Sequence, residues 1–364
     1  MRALRGSLCG SPVVPLAGAA LYAALAWLAY GWSKTARDEP NPAASSGSAE
    51  RVQEHAQASG GGGSGSQRIT RGASEFVVEY GFTNFNQDAL ELSVALAKSD
   101  VDAAVQEFGF REKDFKALDD WYEKAQEGAI ERTKQLYYSG KVTAPDAAAL
   151  QAKLAEIKRR NDGIQAALDV TMADIKKEYR DRRRRLYADS GFRYKDEKTV
   201  EVDMPALVRR NARRMAPVSL AFSEIVQSRE YGMEELVGAV TAMAQTSMRY
   251  EVPGSRLGDR TVGGVLPPPK SFVSGLGDCD TKTGVVGSVL LNWPNLKLVG
   301  LAIPGHYLLA VHRIPAKGEY YVEHQGLPYV MIEPAGPAWL PPGRVGSVTE
   351  SYLKSGKLFA IQAF

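Results

Sequence analysis

Cysteine is nearly absent from this chain of 364 residues, which carries only Cys9 and Cys279. Cys9 lies just before an apolar run, so the two are expected at different depths or in different compartments. A disulfide framework and a cysteine-ligated metal cluster are excluded, and Cys279 is left as an unpaired thiol. Histidine is also scarce, with four in all. Those after Cys279 (His306, His312 and His324) lack ligand spacing, which disfavours a metal hydrolase. No metal or other cofactor is expected. Charge of one sign is missing too: 45 basic residues against 42 acidic give a net +3, so no general attraction to nucleic acid follows. The one dense basic block, Arg180 to Arg185, reads as a solvated helix end. Apolar content of 44% and charged content of 24% are ordinary for a globular chain. The length allows two domains, or one with long appendages.

A long uncharged run is present at the start. Val13 to Trp32 spans about 20 residues, enough to cross a bilayer as a helix. Arg2 and Arg5 precede it, and Trp27, Tyr30 and Trp32 gather at its far end as interfacial aromatics would. Lys34 and Arg37 follow, so the charge bias that orients a span is weak. Residues 1–32 therefore read as a signal anchor, or as a signal peptide cut near Ala29-Tyr30-Gly31. Either way the rest of the chain is expected outside the cytoplasm. It would be tethered on the periplasmic side of a bacterial inner membrane, or exported if cut. Residues 33–72, with Pro40, Pro42 and the run Gly60 to Ser66, are expected to be a disordered linker.

Residues 73–195 read as a helical domain. Leu90, Val94, Leu96, Val101 and Val105 suggest one helix over Asp88 to Glu107. Leu118, Tyr122, Ala125, Ala129 and Leu136 suggest another over Lys113 to Tyr138. A third follows Pro145, where a first-turn proline is tolerated. Its seam of Leu150, Leu154, Ile157, Asn161, Ile164, Leu168, Thr171 or Met172, Ile175, Tyr179 and Leu186 steps by threes and fours. The second and third segments are expected to pair as an antiparallel coiled-coil-like hairpin, with Asn161 fixing register. Self-association through that seam is the alternative.

Residues 196–364 change character. Lys198 to Asp203 reads as a short strand. Val218 to Ile225, Met233 to Met248 and Thr283 to Leu291 read as helices. Pro267 to Pro269 marks a loop, and the stretch Glu251 to Ser274 invites a gating role. Leu296 to Ala302, His306 to His312, Glu319 to Glu323 and Tyr329 to Ile332 read as strands. Helices followed by antiparallel strands predict an α+β domain.

The chemistry-bearing residues fall in this last part. Cys279 follows a glycine-rich turn, in Gly277-Asp278-Cys279-Asp280. Asp278 or Asp280 is placed to cap a helix, so the thiol would sit in the first turn, where unpaired amides and the helix dipole favour a thiolate and offer oxyanion donors. His306 opens a strand after Pro304-Gly305 and is placed to act as base. Glu333 ends a strand before Pro334 and is placed to orient the imidazole. His312, His324 and Glu323 are rival partners.

The stretch from about Tyr231 to Gly346 resembles the transglutaminase-like superfamily, and more closely its bacterial cysteine-peptidase branch. The matching segments are Gly277-Asp278-Cys279-Asp280, Leu298-Val299-Gly300 leading to Gly305-His306, and Ile332-Glu333-Pro334. The resemblance implies a papain-like arrangement with Cys279 as nucleophile, His306 as base and Glu333 as orienting acid. It also implies Gln245, in Gln245 to Tyr250, as an oxyanion donor.

The resulting expectation is thiol-dependent acyl transfer on a protein or peptide substrate, most simply hydrolysis. Crosslinking to an amine is one alternative. Another is an inactive scaffold or assembly protein whose helical hairpin holds a protein partner.

Overall fold

The computed structural model describes residues 43–44, 64–336, 338–357 and 359–364. Neither the apolar run Val13 to Trp32 nor most of the expected linker lies within them. Among the described residues no helix is long and apolar enough to cross a membrane. The chain divides into two compact units. The described part of one is Lys113–Arg185; the other joins Pro42–Glu112 to Leu186–Phe364.

The larger unit opens with β1 (Ala43–Ala44) and an antiparallel meander of β2 (Gly65–Arg71), β3 (Glu75–Thr83) and β4 (Ala89–Ala97). Here the structure corrects two expectations. The end of the linker, Gly65–Arg71, is a strand paired along its whole length with β3. The helix expected over Asp88 to Glu107 is β4 followed by α1 (Lys98–Glu107). Leu90, Leu92, Val94 and Leu96 are buried while their neighbours are exposed, the period of two that a half-buried strand requires. Leu90 and Val94 also fit a helical step, and the alternation completed by Leu92 decides it.

The smaller unit is built on α2 (Glu112–Lys134) and α3 (Ala147–Asp189). The two run antiparallel. Tyr179 Oη donates to Asp119 at 2.7 Å, Ala129 packs with Leu168 and Met172, and Tyr137 Oη donates to Gln165 at 2.9 Å. Arg182, within the basic block, lies 3.8 Å over the Trp121 ring, a cation–π seat. In the seam Met172 is buried and Thr171 exposed, so the step after Leu168 is four residues. Leu136 lies past the end of α2 and is exposed.

Back in the larger unit, β5 (Phe192–Tyr194) pairs with β6 (Thr199–Val202). Asp203 caps α4 (Met204–Ala212), with Pro205 in its first turn. A short 3₁₀ turn leads to α5 (Ala216–Arg229) and then α6 (Met233–Thr246), which is apolar almost all round and is buried accordingly. Next come β7 (Arg249–Tyr250), the hairpin β8 (Arg256–Leu257) and β9 (Arg260–Thr261), and α7 (Pro268–Ser274). The triproline is therefore a helix start: Pro267 is the N-cap residue, with Pro268 and Pro269 behind it. The long loop expected from Glu251 to Ser274 is a packed segment in which Val262 and Phe272 are fully buried.

The rest forms the main sheet. β10 (Leu276–Gly277) lies parallel to β7 and leads into α8 (Cys279–Leu290). After α8 come β11 (Leu298–Ile303), β12 (His306–His312), β13 (Tyr321–His324), β14 (Leu327–Ile332), α9 (Ser347–Lys354) and β15 (Ala360–Ala363). Five of these strands make an antiparallel sheet in the order β13-β14-β12-β11-β15. The domain is α+β. One face of the sheet, with Leu298, Leu309, Val311 and Ile332, packs with Val285, Val286, Val289 and Leu290 of α8 and with the apolar side of the β2–β4 meander. The other, with Leu301, Leu308, Ala310 and Met331, packs under Leu353 and Phe359. The helix carrying Cys279 is thus enclosed between sheet and helices, which fixes where its first turn points.

Candidate active site

Two features of local sequence put Cys279 at a helix start. Asp278 has extended backbone and its carboxylate accepts from the Thr281 amide at 3.1 Å, a side-chain N-cap. Gly277 precedes it where an added Cβ would lie 2.7 Å from Thr281 Cγ2, so only glycine lets the chain turn in this tightly. Across the site, Pro304 and Gly305 form the two-residue turn between β11 and β12, with Gly305 at φ +89°. His306 is the first residue of the returning strand.

The ends of β12 and β14 bring His306 and Glu333 together. Leu309 of β12 pairs with Ile332 of β14, which sets Glu333 diagonally across from His306 on one face of the sheet. His306 Nε2 lies 2.7 Å from Glu333 Oε1, and both side chains are buried. Glu333 Oε2 accepts from Thr349 Oγ1 of α9 at 3.1 Å. One glutamate oxygen is thereby fastened to α9 while the other faces the imidazole, and Nδ1 is the imidazole nitrogen that does not face it.

The helix that carries the thiol reaches β12 where the sheet ladder stops. β14 pairs with β12 only from Leu309 onward, so Tyr307 lies beyond it. The first turns of α8 take its place. Thr283 Oγ1 donates to the Tyr307 carbonyl at 3.1 Å, and the Cys279 thiol donates to Asp280 Oδ1 at 3.4 Å. The first turns of α8 are thereby tied to the start of β12. The sequence expectation of a dipole-stabilised thiolate is reversed at rest. Burial, then the charges of Asp280 and Asp278, push the thiol well above its usual range, and the Tyr307 amide opposes them only in part. The helix dipole adds too little to overcome a desolvated sulfur between two acids.

The rivals are elsewhere. His312 is at the far end of β12, its Nδ1 2.9 Å from the Pro328 carbonyl. His324 stacks edge-on against Tyr329, and Glu323 is exposed on edge strand β13.

Gln245 needs correction. Its Nε2 donates to the Glu333 carbonyl at 2.6 Å and to the Leu340 carbonyl at 3.0 Å, and its Oε1 accepts from the Leu340 amide at 2.9 Å. Both amide hydrogens are committed, so no donor is left for an oxyanion. Gln245 instead fixes the backbone at Glu333.

Set beside known proteins, the chain matches no family model, no curated protein and no solved structure. Function must come from the geometry.

That geometry includes groups the sequence did not single out. Tyr250 of β7 pairs with Gly277, two residues before the thiol. Burial, followed by the charges of Cys279, Asp278, Asp280 and Glu333, raises its hydroxyl, which keeps it a neutral donor among these groups. Its only sequence signal was its place at the end of the Gln245 to Tyr250 segment. Lys282 is fully buried one turn into α8; a lysine leading an apolar helical run was the available cue. Thr349 gave none. A cleft of about 480 Å³ has Asp278, Asp280, His306 and Tyr307 in its lining.

Proposed function

We propose that this protein is a thiol-dependent acyl-transfer enzyme of the transglutaminase-like, papain-like kind, acting on a peptide or amide carbonyl with water as the usual acceptor. The observation that carries this reading is the buried 2.7 Å contact between His306 and Glu333, with Cys279 at the start of the helix that packs on the His306 strand.

The steps follow from the resting protonation states. The thiol is neutral, so His306 Nδ1 takes its proton as the sulfur attacks the carbonyl carbon. The C–S bond forms, the carbonyl π electrons move to oxygen, and Glu333 stabilises the imidazolium. The Cys279 amide, in the first turn of α8, and the Tyr250 hydroxyl serve as donors to that oxygen. The imidazolium then protonates the amine as the C–N bond breaks, leaving a thioester. Water, deprotonated by His306, attacks the thioester, releasing the acid and restoring the thiol. An amine in place of water gives crosslinking by the same route.

The test is reaction of the purified chain with a thiol-reactive peptide-amide probe. Labelling at Cys279 that falls sharply in His306→Ala and Glu333→Gln supports the mechanism. Equal labelling of all three proteins supports the second reading, a scaffold with an idle site, which the acid-flanked, upward-shifted thiol favours. Mass analysis of products with and without a lysine amine separates hydrolysis from crosslinking.

The same proposal places the chain outside the cytoplasm, held by or released from the Val13 to Trp32 segment, and gives the helical hairpin to a protein partner. Cell fractionation tests the first and affinity capture with residues 113–185 deleted tests the second.

A further inference from the structure

Lys282 takes no part in the steps above, yet it stands one turn along the same helix from Cys279. It follows Cys279 by three residues and is fully buried. Its Nζ donates to the Met248 carbonyl at 2.7 Å and lies 5.8 Å over the Tyr250 ring. Burial pulls the ammonium down to about 7, and Asp278, one turn earlier, pulls it back up. A buried ammonium is expensive unless compensated, and an unbranched apolar side chain in its place is commonly neutral or stabilising. Stability alone does not account for a lysine here.

We propose that Lys282 is a positioning residue for acyl transfer: it ties the Met248 carbonyl to the first turn of α8 and so holds the Tyr250 hydroxyl over the carbon that Cys279 attacks. This rests on reading Cys279 as the nucleophile. β7 is held on its other side by the chain just before Cys279, where the Arg249 amide donates to the Gly275 carbonyl at 2.9 Å and the Glu251 amide to Gly277 at 3.3 Å. The lysine closes the remaining side. Tyr250 is then fixed between the loop that delivers the thiol and the helix that carries it. The ammonium above its ring face favours one ring placement through the aromatic quadrupole.

Two reactions of Cys279 separate this role from a general structural one. Alkylation by iodoacetamide displaces iodide and develops no oxyanion. Acylation by p-nitrophenyl acetate does. In the full chain, Lys282→Met is expected to lower acylation about 10-fold or more, as is Tyr250→Phe, while alkylation stays within about 3-fold of wild type. The double variant is expected to be no slower than the slower single one, since both remove the same donor. Lys282→Gln, which keeps an amide donor toward Met248, is expected to recover part of the rate. Acylation of Lys282→Met at the wild-type rate, additive losses in the double variant, or equal losses in both reactions would overturn the proposal. So would failure of both Lys282 variants to fold, which would make the lysine architectural. Wild-type protein that is not acylated at Cys279 in a His306-dependent way would instead defeat the underlying nucleophile reading.

Discussion

His306 and Glu333 meet at 2.7 Å under cover, and Thr349 fastens the far oxygen of the glutamate at 3.1 Å. An imidazole whose Nε2 faces a fixed carboxylate can turn only Nδ1 toward a thiol. Its cation is also stabilised at the moment it forms. Glu333→Gln keeps the shape and removes that charge, so kcat/KM on a peptide or ester substrate is expected to fall about 100-fold or more. Thr349→Val loosens the carboxylate without discharging it, and a loss of about 5-fold is expected from one hydrogen bond of about 1 kcal/mol. A Thr349→Val loss as large as that of Glu333→Gln would show that orientation, and not charge, is the dominant contribution.

Gln245 acts from behind. Its carboxamide serves three main-chain groups, the Glu333 carbonyl and the Leu340 carbonyl and amide. An oxyanion donor could be removed with little effect on folding. A residue that satisfies three such groups cannot, because its loss strands them at about 1–3 kcal/mol each where they are buried. Gln245→Leu is therefore expected to destabilise the protein by roughly 3 kcal/mol or more, measured by denaturant unfolding. Gly336→Ala strikes the same joint from the other side, since its Cβ would lie 2.1 Å from the Gln245 carbonyl oxygen. It is expected to lower both stability and turnover.

What could be read from sequence, and what could not, follows the reach of each interaction. Cys279, His306 and Glu333 each stand beside Gly or Pro at an element boundary, so Gly277, Pro304-Gly305 and Pro334 marked them locally. The role of Gln245 depends on a partner 88 residues away, and Thr349 stands alone in sequence, so nothing near either announced its task. The helix-for-strand error at Ala89–Ala97 had a different cause. Leucine and valine at both two- and four-residue spacings satisfy two periods at once, and only pairing with Glu75–Thr83 selects one. The strand Gly65–Arg71 was hidden because it starts inside the run Gly60 to Ser66, whose glycines and serines have weak strand preference, and gains its order from its neighbour.

The pH dependence of stability has a definite sign at Lys282. Its folded-state pKa is lowered to about 7, against about 10.4 in an unfolded chain. Between those values the unfolded state binds the extra proton, so stability rises with pH across that window. Below about 7 the folded protein carries a buried ammonium and the full penalty. Lys282→Met removes the group. Relative to wild type, the variant is expected to be most favoured at and below neutral pH, and that advantage should shrink as pH climbs toward about 10. Denaturant midpoints at pH 6, 7, 8 and 9 check this, and a constant difference across the series would contradict it.

The hairpin unit offers a test of register. Met172 is buried against Ala129 and Leu168, while Thr171 faces solvent. The seam therefore takes two successive four-residue steps, from Ile164 to Leu168 and from Leu168 to Met172, where a strict heptad would alternate four with three. Met172→Ala empties a packed site and is expected to cost about 2–5 kcal/mol. Thr171→Ala exchanges a poorer helix former for a better one on an exposed face and is expected to be neutral or slightly stabilising. Asn161 shares the seam, with a buried Oδ1 that has no hydrogen-bond partner among the described residues, so Asn161→Leu is expected to stabilise the unit. If the asparagine holds register against self-association, the same variant gains a concentration-dependent oligomer in sedimentation. Stabilisation with an unchanged sedimentation coefficient would assign register to the remaining contacts, such as Tyr179 with Asp119.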